Sequence, residues 1–71
     1  MDTLSLKGIA AAGGSIVISA ANYDVLSLKN IAASGKNHNV QLIIKDANKL
    51  DALSCKNIAS SHPGYVTFDF T

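Results

Sequence analysis

Apolar residues recur at helical spacing in three separate stretches of the chain. In the middle stretch Leu28, Ile31 and Ala32 lie at positions i, i+3 and i+4, so they share one face of a helix. An aspartate followed three residues later by a serine precedes each stripe. The pairs are Asp2 and Ser5, Asp24 and Ser27, and Asp51 and Ser54. Because either side chain can cap the first turn of a helix, the pattern predicts three helices with one apolar side each.

A run of β-branched, aliphatic or aromatic residues follows each predicted helix and is typical of a strand. The three runs are 15–19, 40–45 and 65–70. Gly13 and Gly35 are placed to end the first two helices in a left-handed cap, and Pro63 ends the third. The strands are joined through helices, so we expect them to be parallel.

Alternation within the strands predicts which side chains face the helices. Matching the strands residue by residue at a constant step of 26 residues gives two inward columns. They are Ile16, Leu42 and Phe68 in one, and Ile18, Ile44 and Phe70 in the other.

The predicted helices carry three near copies of one nine-residue segment, at 2–10, 24–32 and 51–59. Asp, Leu, Ser, Lys, Ile and Ala recur at the same six of nine places. A period of this size, with one helix and one strand per unit, is typical of stacked repeats. The sequence therefore predicts an α/β fold in a single domain, 1–71. Three helix–strand repeats of about 26 residues, approximately 2–19, 24–45 and 51–71, form a short parallel-sheet solenoid.

The aliphatic spacing of the second and third units resembles the cysteine-containing subtype of leucine-rich repeat. The matching residues are Leu42, Ile44, Ala47 and Leu50, then Cys55, Ile58, Ala59, His62 and Pro63, then Tyr65, Phe68 and Phe70. The chain departs from that pattern at Ala21 and Ala47, which stand where the subtype has its conserved cysteine, and at Asp24, where it has an aliphatic residue. Aromatic residues also replace leucines in the third strand.

The resemblance implies a recognition surface on the strand positions that face away from the helices. Its candidate residues are Val17, Gln41, Ile43, Lys45, Tyr65, Thr67 and Asp69. Tyr65 beside Ile43 and Val17 would form an anchor, with Lys45 and Asp69 as its rim, and this composition suits a protein interface. The alternative is that helices cover both faces of the sheet and bury Val17 and Ile43.

The terminal repeats carry no polar cap, and the chain ends on a strand with an open edge. A core of this size rarely supplies more than ~3–5 kcal/mol by itself. We therefore expect either self-association through the third strand or neighbouring units in a longer array. The leading functional prediction is a non-enzymatic module for protein–protein interaction that also binds itself.

Composition excludes few partners but disfavours some. The net charge of +1 is too small for a typical nucleic-acid binder, although Lys7, Lys29 and Lys56 share one place in the repeat. No apolar run approaches the length of a membrane span, and we expect a cytoplasmic protein. The single cysteine, Cys55, cannot form an internal disulfide, which fits a reducing compartment; it stands where other copies have leucine, so we expect a small buried hydrophobe.

Catalytic chemistry has no motif in this sequence. No cofactor is expected, and His38 and His62 lie outside the spacing of a zinc site. Both histidines are expected in exposed turns, with His62 as a candidate ligand contact. The alternative function is a compact α/β domain that binds a small ligand or does chemistry at the carboxyl ends of its strands, where Asn22, Asp46 and Asn48 are the candidates.

Overall fold

The computed structural model describes all 71 residues and has three helices, each followed by a strand. The elements are α1 (Thr3–Ala11), β1 (Ile16–Ser19), α2 (Val25–Ser34), β2 (Leu42–Lys45), a 3₁₀ turn (Ala47–Lys49), α3 (Ala52–Ser61) and β3 (Val66–Phe68). The predicted order of elements is confirmed. All three strands are shorter than predicted, because Ser15, 40–41, Tyr65 and 69–70 lie outside them.

Each helix begins in the same way. The carboxylate of Asp2, Asp24 or Asp51 accepts a hydrogen bond from the backbone N–H of the serine three residues later, at 2.8, 2.8 and 2.7 Å. The aspartate, with extended backbone, is therefore the N-cap, and the serine lies within the first turn. One free N–H group per helix is satisfied by this contact.

The helices end in two different ways. Gly13 has a φ of +97°, so the left-handed cap predicted after α1 is confirmed. The same prediction was wrong for Gly35, whose φ is −88°. Gly35 is instead buried against Val40, and this close approach explains why it has no side chain.

The sheet is parallel throughout, with β2 between β1 and β3. Ile16 lies opposite Leu42, and Ile18 lies opposite Ile44, as predicted. The predicted pairing of β3 was wrong, because Val66 lies opposite Leu42 and Phe68 opposite Ile44.

Residues that lie opposite each other are therefore 26 positions apart between β1 and β2, but 24 positions apart between β2 and β3. The connection from α3 to β3 is three residues shorter than the one from α2 to β2, and the bend from β2 to α3 is one residue longer than the one from β1 to α2. Together these two differences move β3 by two residues. Phe70 consequently lies beyond the ladder and is 59% exposed.

The helices lie side by side, with α1 against α2 and α2 against α3, and they cover one face of the sheet. Twelve apolar residues form the core between the two layers. They are Leu6, Ala10, Ile16, Ala20, Leu28, Ile31, Ala32, Val40, Leu42, Ile44, Ala47 and Ile58. Val17 points away from the helices and is 57% exposed. The alternative in which both faces are covered is therefore wrong.

The bends after β1 and β2 differ by one residue. Ala20 N–H donates to Lys45 O at 2.9 Å, whereas on the next strand it is Ala47 N–H that donates to Asp69 O at 3.0 Å. Asp46 is the extra residue and has a left-handed backbone, with φ of 56°. Ala20, rather than Ala21, is consequently the buried counterpart of Ala47.

Candidate functional site

The open face of the sheet is built from the middle residue of each strand. Val17, Ile43 and Thr67 lie in one row across β1, β2 and β3. Val17 and Thr67 are exposed, and Ile43 is half-buried. The alternation of strand side chains fixes this row, because their neighbours Leu42 and Ile44 face the helices and are buried.

Two further predicted residues lie at the amino ends of β2 and β3. Gln41 is exposed, and its backbone N–H donates to Ser15 Oγ at 3.2 Å. Tyr65 is half-buried, and its carbonyl oxygen accepts from Leu42 N–H at 2.9 Å. The two residues are therefore neighbours at this end of the sheet.

The Tyr65 ring is not the centre of the surface. It stacks on the His62 ring, with 4.7 Å between centroids and 27° between planes. Thr67, rather than Tyr65, lies opposite Ile43. Tyr65 therefore lies outside the row of Val17 and Ile43, and these two residues form the apolar part of that row.

The carboxyl ends of β2 and β3 carry the charged pair of the predicted surface, Lys45 and Asp69. Hydrogen bonds from the Thr71 side chain and backbone lower the pKa of Asp69, and the positive charge of Lys45 lowers it further. Asp69 therefore stays ionised, and the surface carries one charge of each sign at this end.

The outer edge of β3 is the second open feature. Tyr65 and Asp69 both use their backbone to bond β2, at 2.9 Å each, through Leu42 N–H and Ile44 O. Alternate residues of a parallel strand turn their backbone to opposite sides, so Val66 and Phe68 direct their N–H and C=O groups away from β2. The Phe68 and Phe70 rings stack beside this edge, with centroids 6.2 Å apart.

The alternative site at the carboxyl ends of the strands has little concave shape. Ser19 Oγ donates to Asp46 Oδ2 at 2.5 Å, which ties the ends of β1 and β2 together. Asn22 and Asn48 are exposed, and the surface has no pocket. The three candidate residues, Asn22, Asp46 and Asn48, therefore do not line a cleft that could enclose a ligand.

His62 was predicted in an exposed turn, and this prediction was wrong. Only 4% of the residue is exposed, and its Nε2 lies 3.1 Å from His38 O. His38 is exposed as predicted. The buried ring joins the turn after α3 to the turn after α2, so its position is explained by packing and by this hydrogen bond.

Cys55 is half-buried, so the predicted buried position is reached only in part. Burial, and then the charge of Asp51, raises the pKa of its thiol. The reactive thiolate is therefore disfavoured at neutral pH. No group of three histidine, cysteine or acidic side chains is arranged to hold a metal ion.

Sequence reasoning missed a row of exposed leucines on the helical side of the molecule. They are Leu4, Leu26 and Leu53, which occupy the same place in the repeated segment, two residues after each N-cap. The sequence does indicate this row, because its place in the repeated segment lies outside the apolar stripe that runs through Leu28 and Ile31. A leucine outside that stripe is expected to be exposed. None of the helices is long and apolar enough to cross a membrane.

No protein-family model, curated protein or solved structure matches this chain. The resemblance to leucine-rich repeats therefore stays a prediction from the sequence.

Proposed function

We propose that this chain is a non-enzymatic repeat module that acts by protein–protein contact and binds itself through the outer edge of β3. The three helix–strand units form a short solenoid that resembles leucine-rich repeats. The observation that carries the proposal is the unpaired backbone of Val66 and Phe68 along that edge.

An open strand edge is a ready template for another strand. Each N–H and C=O group that points outward from β3 can bond to a strand added alongside, and two such residues are available. The half-buried Phe68 and the exposed Phe70 lie next to this edge. A strand added there would shield aromatic surface as well as satisfy backbone groups.

The open sheet face offers a second area of contact to a partner. Its apolar centre is Val17 and Ile43, with Thr67 completing the row. The remaining candidate residues, Gln41, Tyr65, Lys45 and Asp69, lie at the two ends of the strands. An apolar centre with a polar rim is the usual composition of a protein interface.

Association would also add stability that the small core lacks. Only 14 of the 71 residues are buried, and the largest fully buried side chains are leucines and isoleucines: Leu28, Ile31, Leu42, Ile44 and Ile58. A partner that binds only the folded chain stabilises it by mass action.

Molar mass in solution, measured by sedimentation equilibrium over a wide concentration range, tests the proposal. The chain is short enough to be synthesised with a single backbone N-methyl group at Val66, which removes one outward donor and leaves the bonds to β2 intact. We expect the unmodified chain to associate and the N-methyl chain to stay monomeric with an unchanged circular dichroism spectrum.

N-methylation of Val25 is the matched control. It alters the same residue type at the first position of α2, where the N–H has no partner within the helix. This chain should associate like the unmodified one. An unmodified chain that stays monomeric at every concentration would contradict the proposed function.

A further inference from the structure

The outer flanks of the molecule differ at one place in the repeated segment. The isoleucine at this place is 1% exposed in α2 (Ile31) and fully buried in α3 (Ile58), but 39% exposed in α1 (Ile9). Helices α2 and α3 each have a helix on the side towards α1, whereas α1 has none there. The isoleucine is therefore buried in a helix that has a preceding helix beside it, and it is exposed in α1, which has none.

Two other places show the opposite trend. At one of them Leu6 and Leu28 are buried, but Cys55 is only half-buried. At the other Ala10 and Ala32 are buried, but Ala59 is only half-buried. These places lose burial only in α3, which has no helix beyond it. The residues at these two places are therefore buried in a helix that has a following helix beside it.

The two flanks consequently carry the two halves of one contact. That contact is made twice inside the chain, between α1 and α2 and between α2 and α3. The α1 flank presents Ile9, and the α3 flank presents the smaller Cys55 and Ala59. A large side chain on one flank faces small side chains on the other.

The strand edges follow the same arrangement. Ile16 and Ala20 direct their backbone N–H groups to β2, so Val17 turns its own towards the outer edge of β1. Val66 does the same at the outer edge of β3. Ile44 in the middle strand is fully buried, whereas Ile18 and Phe68 on either side of it are half-buried.

We infer that a second copy of this chain docks head to tail, with its α1 and β1 flank on the α3 and β3 flank of the first copy. Its β1 pairs in parallel with the outer edge of β3, and its Ile9 packs over Cys55 and Ala59. This inference rests on the proposed function, because it names the surface that the β3 edge binds.

Head-to-tail docking has a consequence that a symmetric dimer does not have. A head-to-tail dimer leaves one flank of each kind open, so growth does not stop at two copies unless the assembly closes into a ring. Antiparallel pairing of two β3 edges would stop at a dimer and would leave Ile9 exposed. The two modes therefore differ in the number of copies in the assembly, and only head-to-tail docking should be weakened by a substitution at Ile9.

Two arginine variants test the inference. Ile9→Arg places a charge on the α1 flank, and Ala59→Arg places one on the α3 flank. Each blocks one half of the contact, because a charge buried there would have no partner. We expect each variant alone to be monomeric at concentrations where the unaltered chain forms assemblies larger than a dimer.

The equimolar mixture of the two variants gives the decisive result. Each variant keeps one working flank, so the mixture should form a dimer with one copy of each and should not grow further. Ala33→Arg is the control, since Ala33 is an exposed alanine of α2 on neither flank. It should assemble like the unaltered chain. Circular dichroism checks that each variant folds, and Ile9→Ser replaces Ile9→Arg if the arginine lowers the helical signal.

Other outcomes separate this inference from the proposed function. A dimer that persists in both arginine variants overturns head-to-tail docking and leaves self-association through β3 in place. A mixture of the two variants that stays monomeric, while the unaltered chain associates, also overturns head-to-tail docking. A chain that is monomeric throughout overturns the proposed function together with this inference.

Discussion

A Cβ atom added to Gly35 would lie 3.0 Å from Val40 Cβ and 3.2 Å from Val40 Cγ1. Both residues are buried, and together they bring the end of α2 against the segment that enters β2. The φ of Gly35, −88°, is open to any residue. Space, rather than backbone conformation, therefore requires glycine here.

Gly35→Ala should destabilise the fold by about 1–3 kcal/mol, because a β-branched side chain in a packed core cannot move aside without strain. Gly8→Ala is the matched control. Nothing lies within 4 Å of a Cβ at Gly8, which is exposed in α1, so alanine should stabilise the helix by about 0.5–1 kcal/mol. Urea unfolding of both variants measures the difference. Equal stabilities would contradict the spatial argument.

Much of this fold can be predicted from the sequence because its signals are local. The N-cap of each helix needs only an aspartate and the backbone N–H three residues later. In α2, for example, Ser27 N–H donates to Asp24 Oδ1 at 2.8 Å. The order of helices and strands follows from the hydrophobic pattern in the same way. Each of these features is decided within a few neighbouring residues.

The features that were missed depend on the lengths of connections. The position of Phe68 opposite Ile44 follows from a shorter turn after α3, which a strict repeat period cannot reveal. The exposure of Phe70 follows from the same shift. The stacking of Tyr65 on His62 belongs to the turn itself, where Tyr65 N–H donates to His62 O at 3.1 Å. On the candidate surface Val17 and Ile43 lie side by side, because β1 and β2 pair at the predicted separation of 26 residues.

The hydrogen bond between the His62 ring and the His38 backbone makes an asymmetric prediction. His62→Ala removes a buried ring, its stacking on Tyr65 and its contact with the His38 carbonyl, so the free energy of unfolding should fall by about 1–3 kcal/mol. His38→Ala leaves the carbonyl in place and should change stability by no more than about 0.5 kcal/mol. Chemical denaturation of the two variants checks this. A comparable loss in both would show that the His38 side chain also contributes.

The two faces of the sheet should respond differently to substitution. Ile44 is fully buried under the helices, so Ile44→Ala should lower the free energy of unfolding by about 2–5 kcal/mol. Val17 is on the open face, so Val17→Thr, which keeps the β-branched shape, should change it by no more than about 0.5 kcal/mol. The comparison is made by thermal and urea unfolding at concentrations where the chain is monomeric. A large loss for Val17→Thr would contradict the exposure of Val17 in the monomer.

The three helix caps should make stability depend on pH in the acid range. Hydrogen bonds from the side chain and then the backbone N–H of Ser5, Ser27 and Ser54 lower the pKa of the capping aspartates below 3.8. A carboxyl group whose pKa is lower in the folded chain contributes stability that is present above the ordinary pKa. That contribution is lost as the pH falls through the folded pKa. The free energy of unfolding should therefore decrease as the pH is lowered from about 5 towards 2.

Replacing the caps with asparagine separates the charge from the hydrogen bond. Asparagine caps a helix about as well as aspartate but does not titrate. The triple variant Asp2→Asn, Asp24→Asn, Asp51→Asn should therefore stay folded at neutral pH and lose less stability on acidification than the unaltered chain. Some pH dependence should remain, because the pKa of Asp69 is also lowered, by Thr71 and Lys45. Urea unfolding at a series of pH values measures both slopes, and identical slopes would show that the caps do not carry the acid sensitivity.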